Sequence, residues 1–182
     1  MKLPLVVLVL AISISKIYAL GCMGTVCAPN KENQLRPCPD EDGNCGHYNG
    51  QRRGGRLEKA VDIVCDPNKE VLAPFDGNLY FWKPFGGRKE YECADKGVRI
   101  EGTGQWQGYY VLIGYVKPDF FGGKVKKGER IGTSLDLLCL ENAMGNFKPY
   151  VRMYLYKGGR NIDPTYHRRD CLCTGQICES NK

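Results

Sequence analysis

The sequence predicts a mainly β fold, a small antiparallel β-sheet domain reinforced by disulfide bridges. Short runs rich in β-branched and aromatic residues recur over the second two-thirds of the chain. Glycine-containing turns separate these runs, and the ten cysteines are an even number. The chain has 182 residues, of which 42% are hydrophobic. A chain of this size buries a core without staples, so bridges would reinforce the fold and not replace its core.

The first nineteen residues have the pattern of a secretory leader. Lys2 precedes an apolar run from Leu3 to Ile14, and the small residue Ala19 follows. The run is shorter than the ~20 residues that a membrane span needs. We therefore expect an extracellular protein without a membrane span, divided into a signal peptide (1–19), a β domain (20–166) and a cysteine-bearing C-terminal tail (167–182).

Seven runs predict the strands. They are Val61–Cys65, Val71–Phe75, Asn78–Phe85, Gly97–Glu101, Tyr109–Val116, Glu129–Thr133 and Tyr150–Tyr156. Their length and spacing, with turn pairs such as Asp76-Gly77 and Gly158-Gly159 between them, are typical of an antiparallel sheet. Leu135–Met144 is the one candidate helix.

The catalytic inventory beyond Ala19 is small. It holds two histidines, His47 and His167, and two serines, with no Gly-x-Ser-x-Gly motif. A Ser-His-Asp triad is therefore not expected. The tail combines His167 with three cysteines, which are zinc-ligand types, but in an oxidising compartment such thiols favour disulfides. We expect no cofactor.

The net charge of +6 does not by itself indicate a nucleic-acid partner, and none is expected. Lys124, Lys126, Lys127 and Arg130 flank one predicted hairpin. Two interpretations stay open for them: a contact for heparan-type polyanions, and a solvated turn beside an edge strand.

The run Val61-Asp62-Ile63-Val64-Cys65, followed by Val71-Leu72-Ala73-Pro74-Phe75-Asp76-Gly77, resembles the leukocyte cell-derived chemotaxin-2 family, which has the fold of the lysostaphin-type zinc endopeptidases. Further blocks match in order: Val26-Cys27-Ala28, Arg36-Pro37-Cys38, Cys45-Gly46, Gly97-Val98-Arg99-Ile100, Tyr115-Val116-Lys117-Pro118, Lys126-Lys127-Gly128-Glu129-Arg130-Ile131-Gly132 and Asp163-Pro164-Thr165. The resemblance covers roughly residues 26–166. It implies a small antiparallel β domain with a groove over one sheet.

The resemblance also implies where a zinc site would lie. In the peptidases, a His-x3-Asp motif and the last histidine of a later His-x-His bind zinc, and the other histidine assists catalysis. Here Glu58 stands at the first ligand position, Asp62 is retained, and Arg152 and Tyr150 stand at the last two positions. A guanidinium has no lone pair for a metal. We predict a degenerate site without metal, in which Arg152 pairs with Asp62 and Glu58; the alternative is Arg152 on Asp62 alone, with Glu58 solvated.

The same resemblance implies the bridges Cys27–Cys65 and Cys38–Cys45. The positions of the family's third disulfide carry Tyr110 and Tyr156, for which we expect an aromatic pair. Six cysteines lie outside the family pattern, and their fifteen possible connectivities stay open: Cys22, Cys93, Cys139, Cys171, Cys173 and Cys178.

The last predicted strand alternates strictly. Val151, Met153 and Leu155 share one face, which we expect to face the core. The opposite face is our candidate binding surface, and it consists of Tyr150, Arg152, Tyr154 and Tyr156. Such a face suits sugar or peptide; the alternative is a tyrosine floor covered by the cysteine-stapled N-terminal loop.

The leading hypothesis is a secreted, non-catalytic binding or signalling protein, a chemotaxin-like or innate-immune ligand on a peptidase fold. Its partner would be a cell-surface receptor or an extracellular glycan or peptide. Two alternatives stay open: a zinc metallopeptidase or amidase with a displaced metal site, for instance at Asp62 with His47 or at the tail cysteines, and an extracellular structural or matrix protein.

Overall fold

The computed structural model describes residues 22–39, 43–52, 54–140, 148–168, 171–174 and 177–180, with side chains described up to His167. The predicted signal peptide lies outside these residues. The strands are β1 (Gly50–Gln51), β2 (Leu57–Glu58), β3 (Val61–Val64), β4 (Glu70–Leu72), β5 (Gly77–Trp82), β6 (Gly97–Gly102), β7 (Tyr109–Gly114), β8 (Val116–Pro118), β9 (Gly122–Val125), β10 (Arg130–Ser134), β11 (Tyr150–Lys157), β12 (Arg160–Ile162), β13 (Cys171–Thr174) and β14 (Ile177–Ser180).

The strands form two larger antiparallel sheets and two hairpins. The large sheet has the order β12-β11-β7-β6-β5-β9, and β3 pairs with β11 as its seventh strand. The small sheet has the order β4-β10-β8. The pairs β1-β2 and β13-β14 are two-stranded. The mainly β, antiparallel fold class predicted from the sequence is confirmed.

One apolar cluster joins the two sheets. Val151, Met153 and Leu155 of β11 are fully buried, as the alternation predicted. They belong to the same core cluster as Val71 and Ile131 of the small sheet. Burial of such aliphatic side chains is worth about 1.5–3 kcal/mol each, so this core accounts for much of the fold's stability.

The predicted strand Tyr109–Val116 is divided at Tyr115. This residue has a φ of 67°, in the left-handed region that bulky side chains rarely adopt. The break separates β7, which pairs in the large sheet, from β8, which pairs in the small one. The chain thereby changes sheets within one residue, and the Tyr115 side chain packs in a second buried cluster with Leu140 and Tyr150.

The candidate helix is corrected. Within the described part of the predicted range Leu135–Met144, only Leu138–Leu140 forms a helical turn, of the 3-10 type. Residues 135–137 directly follow the end of β10 and are not helical. Residues 141–147 lie outside the described part of the chain. Further described helical turns are Lys89–Tyr91, Gly104–Trp106 and α1 (Thr165–Arg168). No described helix has the length and apolar character needed to cross a membrane.

Candidate functional site

Strand pairing places Arg152 directly opposite Asp62. The two residues are Cα partners in the antiparallel pair β11-β3, so their side chains lie on one face of the sheet. The β1-β2 hairpin brings Glu58 to the same place through its position on β2. Glu58, Asp62 and Arg152 are 8%, 0% and 8% exposed.

The Arg152 guanidinium bridges both carboxylates. Its Nε donates to Asp62 Oδ1 at 2.7 Å and its Nη2 to Asp62 Oδ2 at 3.1 Å, a bidentate pair. Its Nη1 donates to Glu58 Oε2 at 3.3 Å. Nη2 also donates to the Tyr150 hydroxyl at 3.2 Å. The structure therefore contains the three-member arrangement and not the arrangement with a solvated Glu58.

Arg36 is a second partner of the buried Asp62. Its Nη2 donates to Asp62 Oδ2 at 2.8 Å, and its backbone N–H donates to the Asp62 carbonyl at 2.8 Å. The guanidinium also lies 4.6 Å from the centre of the Tyr150 ring. The N-terminal segment therefore covers Asp62 and Tyr150 with a cation.

Arg52 is the third guanidinium beside Asp62. Its Nη2 lies 3.2 Å from Asp62 Oδ2, but none of its three guanidinium nitrogens makes a hydrogen bond with any residue that the structure describes. The side chain is 7% exposed. A buried cation without hydrogen bonds is costly, because desolvation is incompletely compensated.

These contacts shift the pKa values of the cluster. Burial would raise the pKa of Asp62, but the nearby guanidiniums, Arg152 first, outweigh it and hold that pKa below its usual value. Burial would lower the pKa of Arg152, yet the negative charge of Asp62 holds it well above its usual value. Burial lowers the pKa of Arg52, although Asp62 opposes the shift. Arg152 and Asp62 are therefore a charged pair at all working pH values.

The residues at the implied zinc position do not fit a zinc ion. Catalytic zinc takes three protein ligands with lone pairs. Here Arg152 supplies none, and its guanidinium occupies both Asp62 oxygens and one Glu58 oxygen. Elsewhere in the described residues, no cluster of three His, Cys, Asp or Glu side chains has the proximity to hold a metal.

The predicted binding face is only partly accessible. Tyr150 is 1% exposed and lies under Arg36, with its ring edge-on to Tyr115 at 5.5 Å. At this end of β11 the structure has the covered arrangement, not an open groove. Tyr154 is half-buried and donates to Glu58 Oε1 at 3.3 Å. Burial raises the pKa values of the Tyr150 and Tyr154 hydroxyls, so both stay protonated.

Tyr156 has the partner that was expected for it. Its ring stacks on that of Tyr110, with centroids 4.6 Å apart and planes at 5°. The two residues are Cα partners in the β11-β7 pair. Arg99 lies 4.3 Å from the centre of the Tyr110 ring on the neighbouring strand β6. Aromatic contact thus joins the two strands at the positions where the resemblance puts the family's third disulfide.

A cavity of about 320 Å³ opens beside the Asp62 cluster. We call it the arginine pocket, after the five lining guanidiniums Arg36, Arg52, Arg56, Arg88 and Arg152. Arg36, Arg52 and Arg152 are its buried floor, whereas the Arg56 and Arg88 side chains are 72% and 57% exposed at its rim. Three aromatic rings also line the pocket, those of Phe85, Tyr91 and Tyr115.

The site brings together arginines that sequence reasoning had not connected. Arg36 stood in a matched block, but no role followed from it, because its contact with Asp62 spans 26 residues. The basic run at 51–56 was the available signal for Arg52 and Arg56. Nothing in the local sequence indicates Arg88, whose place depends on the packing of the loop after β5.

Disulfides join Cys27 to Cys65 and Cys38 to Cys45, the two pairs that the resemblance implies. A further bridge joins Cys93 to Cys139, two of the six cysteines left unassigned. The side chains of Cys171, Cys173 and Cys178 lie outside the description, but β13 and β14 place Cys173 opposite Cys178. His47 is exposed in a turn.

The basic hairpin is held by acidic and carbonyl partners. Lys126 Nζ and the Lys127 backbone N–H donate to Asp76. Arg130 pairs with Asp119 at 2.9 Å and with Glu70 at 3.1 Å. These contacts agree with a turn beside an edge strand.

Comparison with known proteins finds relatives named leukocyte cell-derived chemotaxin-2. A leukocyte cell-derived chemotaxin-2 homolog of Caenorhabditis elegans is 52% identical over 163 residues, which are 89% of this chain and 49% of that protein. The chain thus spans about half the length of that relative. Leukocyte cell-derived chemotaxin-2 of Bos taurus is 37% identical over 134 residues, covering 71% of this chain and 80% of that protein. The Mus musculus protein is 33% identical, with 74% and 83% covered. No family model matches.

The solved structures with a similar fold include a chain of the SpoIIQ-SpoIIIAH pore-forming complex. It superposes with a TM-score of 0.55 and 15% identity, covering 83% of this chain and 93% of that chain. Helicobacter pylori Csd3 superposes with a TM-score of 0.52 and 18% identity, covering 82% and 33%. At these identities the likeness concerns the fold alone.

Proposed function

Because this chain belongs to the leukocyte cell-derived chemotaxin-2 family, we propose that it is a secreted, non-catalytic binding or signalling protein on a peptidase fold whose zinc ligands have been replaced. It would act as a chemotaxin-like or innate-immune ligand. Its partner would be a cell-surface receptor or an extracellular glycan or peptide.

One observation carries the proposal. The Arg152 guanidinium lies between Asp62 and Glu58, at the position where the resemblance puts a metal ligand. The Arg152 guanidinium bonds both carboxylates, in addition to Arg36 on Asp62 and Arg56 on Glu58, so the buried anions are compensated by cations of the protein itself. The site is thus stable as an ion-pair cluster, and its chemistry suits recognition.

The scaffold around the cluster supports a secreted binding role. Three described disulfides reinforce the domain, as expected in an oxidising compartment. The aromatic and arginine side chains that line the arginine pocket are the residue types that dominate binding hot spots.

The test combines a hydrolysis assay with a binding assay on the natively secreted chain. Incubated with zinc and either glycine-rich peptides or peptidoglycan fragments, it should give no chelator-sensitive turnover. Fluorescently labelled protein should bind animal cells saturably, and unlabelled folded protein should compete while heat-unfolded protein should not.

Three results would overturn the proposal. Chelator-sensitive turnover that the Asp62→Asn variant lacks would make the chain a metallopeptidase at this site, and turnover that survives Asp62→Asn would place a metal elsewhere. Absence of saturable cell binding, with self-association into insoluble material, would instead indicate a matrix protein.

A further inference from the structure

We propose that the arginine pocket binds an aromatic ring that carries an oxyanion, the chemistry of a sulfated tyrosine side chain in an extracellular peptide. The inference rests on the proposed function, since it assigns a ligand class to the same zinc-free site. It follows from three features of the pocket: five guanidiniums in its lining, one buried guanidinium, that of Arg52, without hydrogen bonds within the described residues, and three aromatic rings in the same lining.

Five guanidiniums line the pocket. Four of them contact the two carboxylates of Asp62 and Glu58. The fifth, Arg88, lies 3.8 Å from the exposed Glu90. An anion that enters gains from all the nearby guanidiniums in a site of low dielectric.

Arg52 marks where that anion would lie. It lines the pocket, its side chain is 7% exposed, and its three guanidinium nitrogens make no hydrogen bonds within the described residues. The Asp62 oxygens beside it are already taken by Arg36 and Arg152. The guanidinium fork matches the paired oxygens of an oxyanion. A bound oxyanion would thus supply the hydrogen bonds that Arg52 lacks.

The part of the pocket lining that is not formed by arginines is mainly aromatic and apolar. Phe85 and Tyr91 stack with centroids 4.5 Å apart, and Tyr115 lies 6.2 Å from Phe85. Leu140 closes the same side, and Arg88 lies 4.6 Å from the centre of the Tyr91 ring. Tyr115 holds its place through the left-handed backbone that divides β7 from β8, the kind of strain that is concentrated at functional sites.

The size and polarity of the pocket select an aromatic ligand over a sugar. At about 320 Å³ it is at the small end of ligand cavities, ~300–1,000 Å³, which suits one ring with one charged group. Apart from two tyrosine hydroxyls, Asn44 is the only neutral polar side chain among the described lining residues. The several hydroxyls of a sugar ring would find few partners there, whereas a flat ring stacks on Phe85 and Tyr91.

The first experiment is isothermal titration of the natively secreted chain with a Gly-sulfotyrosine-Gly peptide, and with the same peptide unsulfated. We expect one sulfated peptide per chain and affinity about tenfold or more weaker without the sulfate, because charge-assisted pairs are lost. Inorganic sulfate and a sulfated heparin disaccharide are titrated in parallel, and both should bind more weakly than the sulfated peptide.

Two variants locate the site. Arg88→Gln changes an exposed rim residue, and Arg52→Gln changes the buried guanidinium; each should weaken sulfopeptide binding about tenfold. Arg52→Gln should not lower the unfolding temperature, because it removes an incompletely compensated charge. The matched control is Arg130→Gln, which removes the same charge from a side chain outside the pocket lining and should leave the affinity unchanged.

Several outcomes would overturn the inference. No binding, equal affinity for the unsulfated peptide, or equally tight binding of inorganic sulfate would show that no aryl oxyanion is recognised. Tighter binding of the disaccharide would make the ligand a sugar. Unchanged affinity in Arg52→Gln, with a lower unfolding temperature, would make Arg52 a structural residue. The zinc content of the same sample separates these results from a failure of the proposed function.

Discussion

The chemistry of the site depends on single side chains whose charge cannot change. Arg152 places a cation between Asp62 and Glu58, and Asp62 accepts from Arg152 and Arg36 while Arg52 lies 3.2 Å away. The depressed pKa of Asp62 follows from these guanidiniums and keeps the carboxylate ionised despite complete burial. At this scale the loss of metal chemistry that we propose and the stability of the cluster have the same cause.

Arg152→Ala should destabilise the fold. It removes the bidentate partner of a fully buried carboxylate and one partner of Glu58. Breaking a buried pair costs about 3–5 kcal/mol; because Arg36 and Arg52 remain beside Asp62, we expect about 3 kcal/mol. Urea unfolding measures the change in the free energy of unfolding.

The matched control for Arg152→Ala is Arg130→Ala, which breaks exposed pairs with Asp119 and Glu70 and should cost less than about 1 kcal/mol. An Arg152→Ala variant as stable as this control would mean that the ion-pair cluster contributes nothing to the fold.

The sequence predicted part of this residue-scale picture. The replacement at Arg152 and its pairing with Asp62 followed from the resemblance together with the absence of a lone pair on guanidinium. Arg36, Arg52 and Arg88 did not follow, because each reaches the site through a tertiary contact from a loop. Local sequence carries no signal for such contacts.

At the scale of elements, alternation was a reliable guide where one face is buried. It placed Val151, Met153 and Leu155 in the core. It missed β1, β2, β9, β12, β13 and β14, which have two to four residues each and lack a clear apolar face. It also extended one strand through Tyr115, because a positive φ at a tyrosine has no sequence signature.

The bridge Cys93–Cys139 joins the two chain segments that carry Tyr91 and Leu140 at the arginine pocket. Cys93 follows the 3-10 turn that carries Tyr91, and Cys139 precedes Leu140. Both neighbouring side chains line the pocket. The bridge closes a separation of 46 residues, whereas Cys38–Cys45 closes one of 7.

Removing the longer bridge should cost more stability. In the chain-entropy account, Cys93→Ser/Cys139→Ser should destabilise the fold by about 1.7 kcal/mol more than Cys38→Ser/Cys45→Ser, as measured by urea unfolding. It should also weaken sulfopeptide binding, because the wall carrying Tyr91 and Leu140 is released. Equal stability losses, with unchanged binding in the longer-loop variant, would contradict this role.

At the scale of the whole molecule, the fold has a source of stability that does not involve a metal. The core cluster joins both sheets, and Phe75 stacks on Trp106 at 4.5 Å within it. Disulfides tie the N-terminal segment to β3 through Cys27–Cys65. These contacts lie outside the Asp62 cluster, which agrees with our proposal that the fold is retained without zinc ligands.

The central claim, that a guanidinium stands where the peptidases of this fold hold zinc, is tested most directly by the zinc content of the natively secreted protein. The protein is dialysed against zinc-containing and then metal-free buffer, and its zinc is measured by mass spectrometry per chain. We predict far less than one zinc ion per chain. One retained zinc ion per chain, lost in the Asp62→Asn variant, would contradict the claim, and zinc retained in that variant would place a metal site elsewhere in the chain.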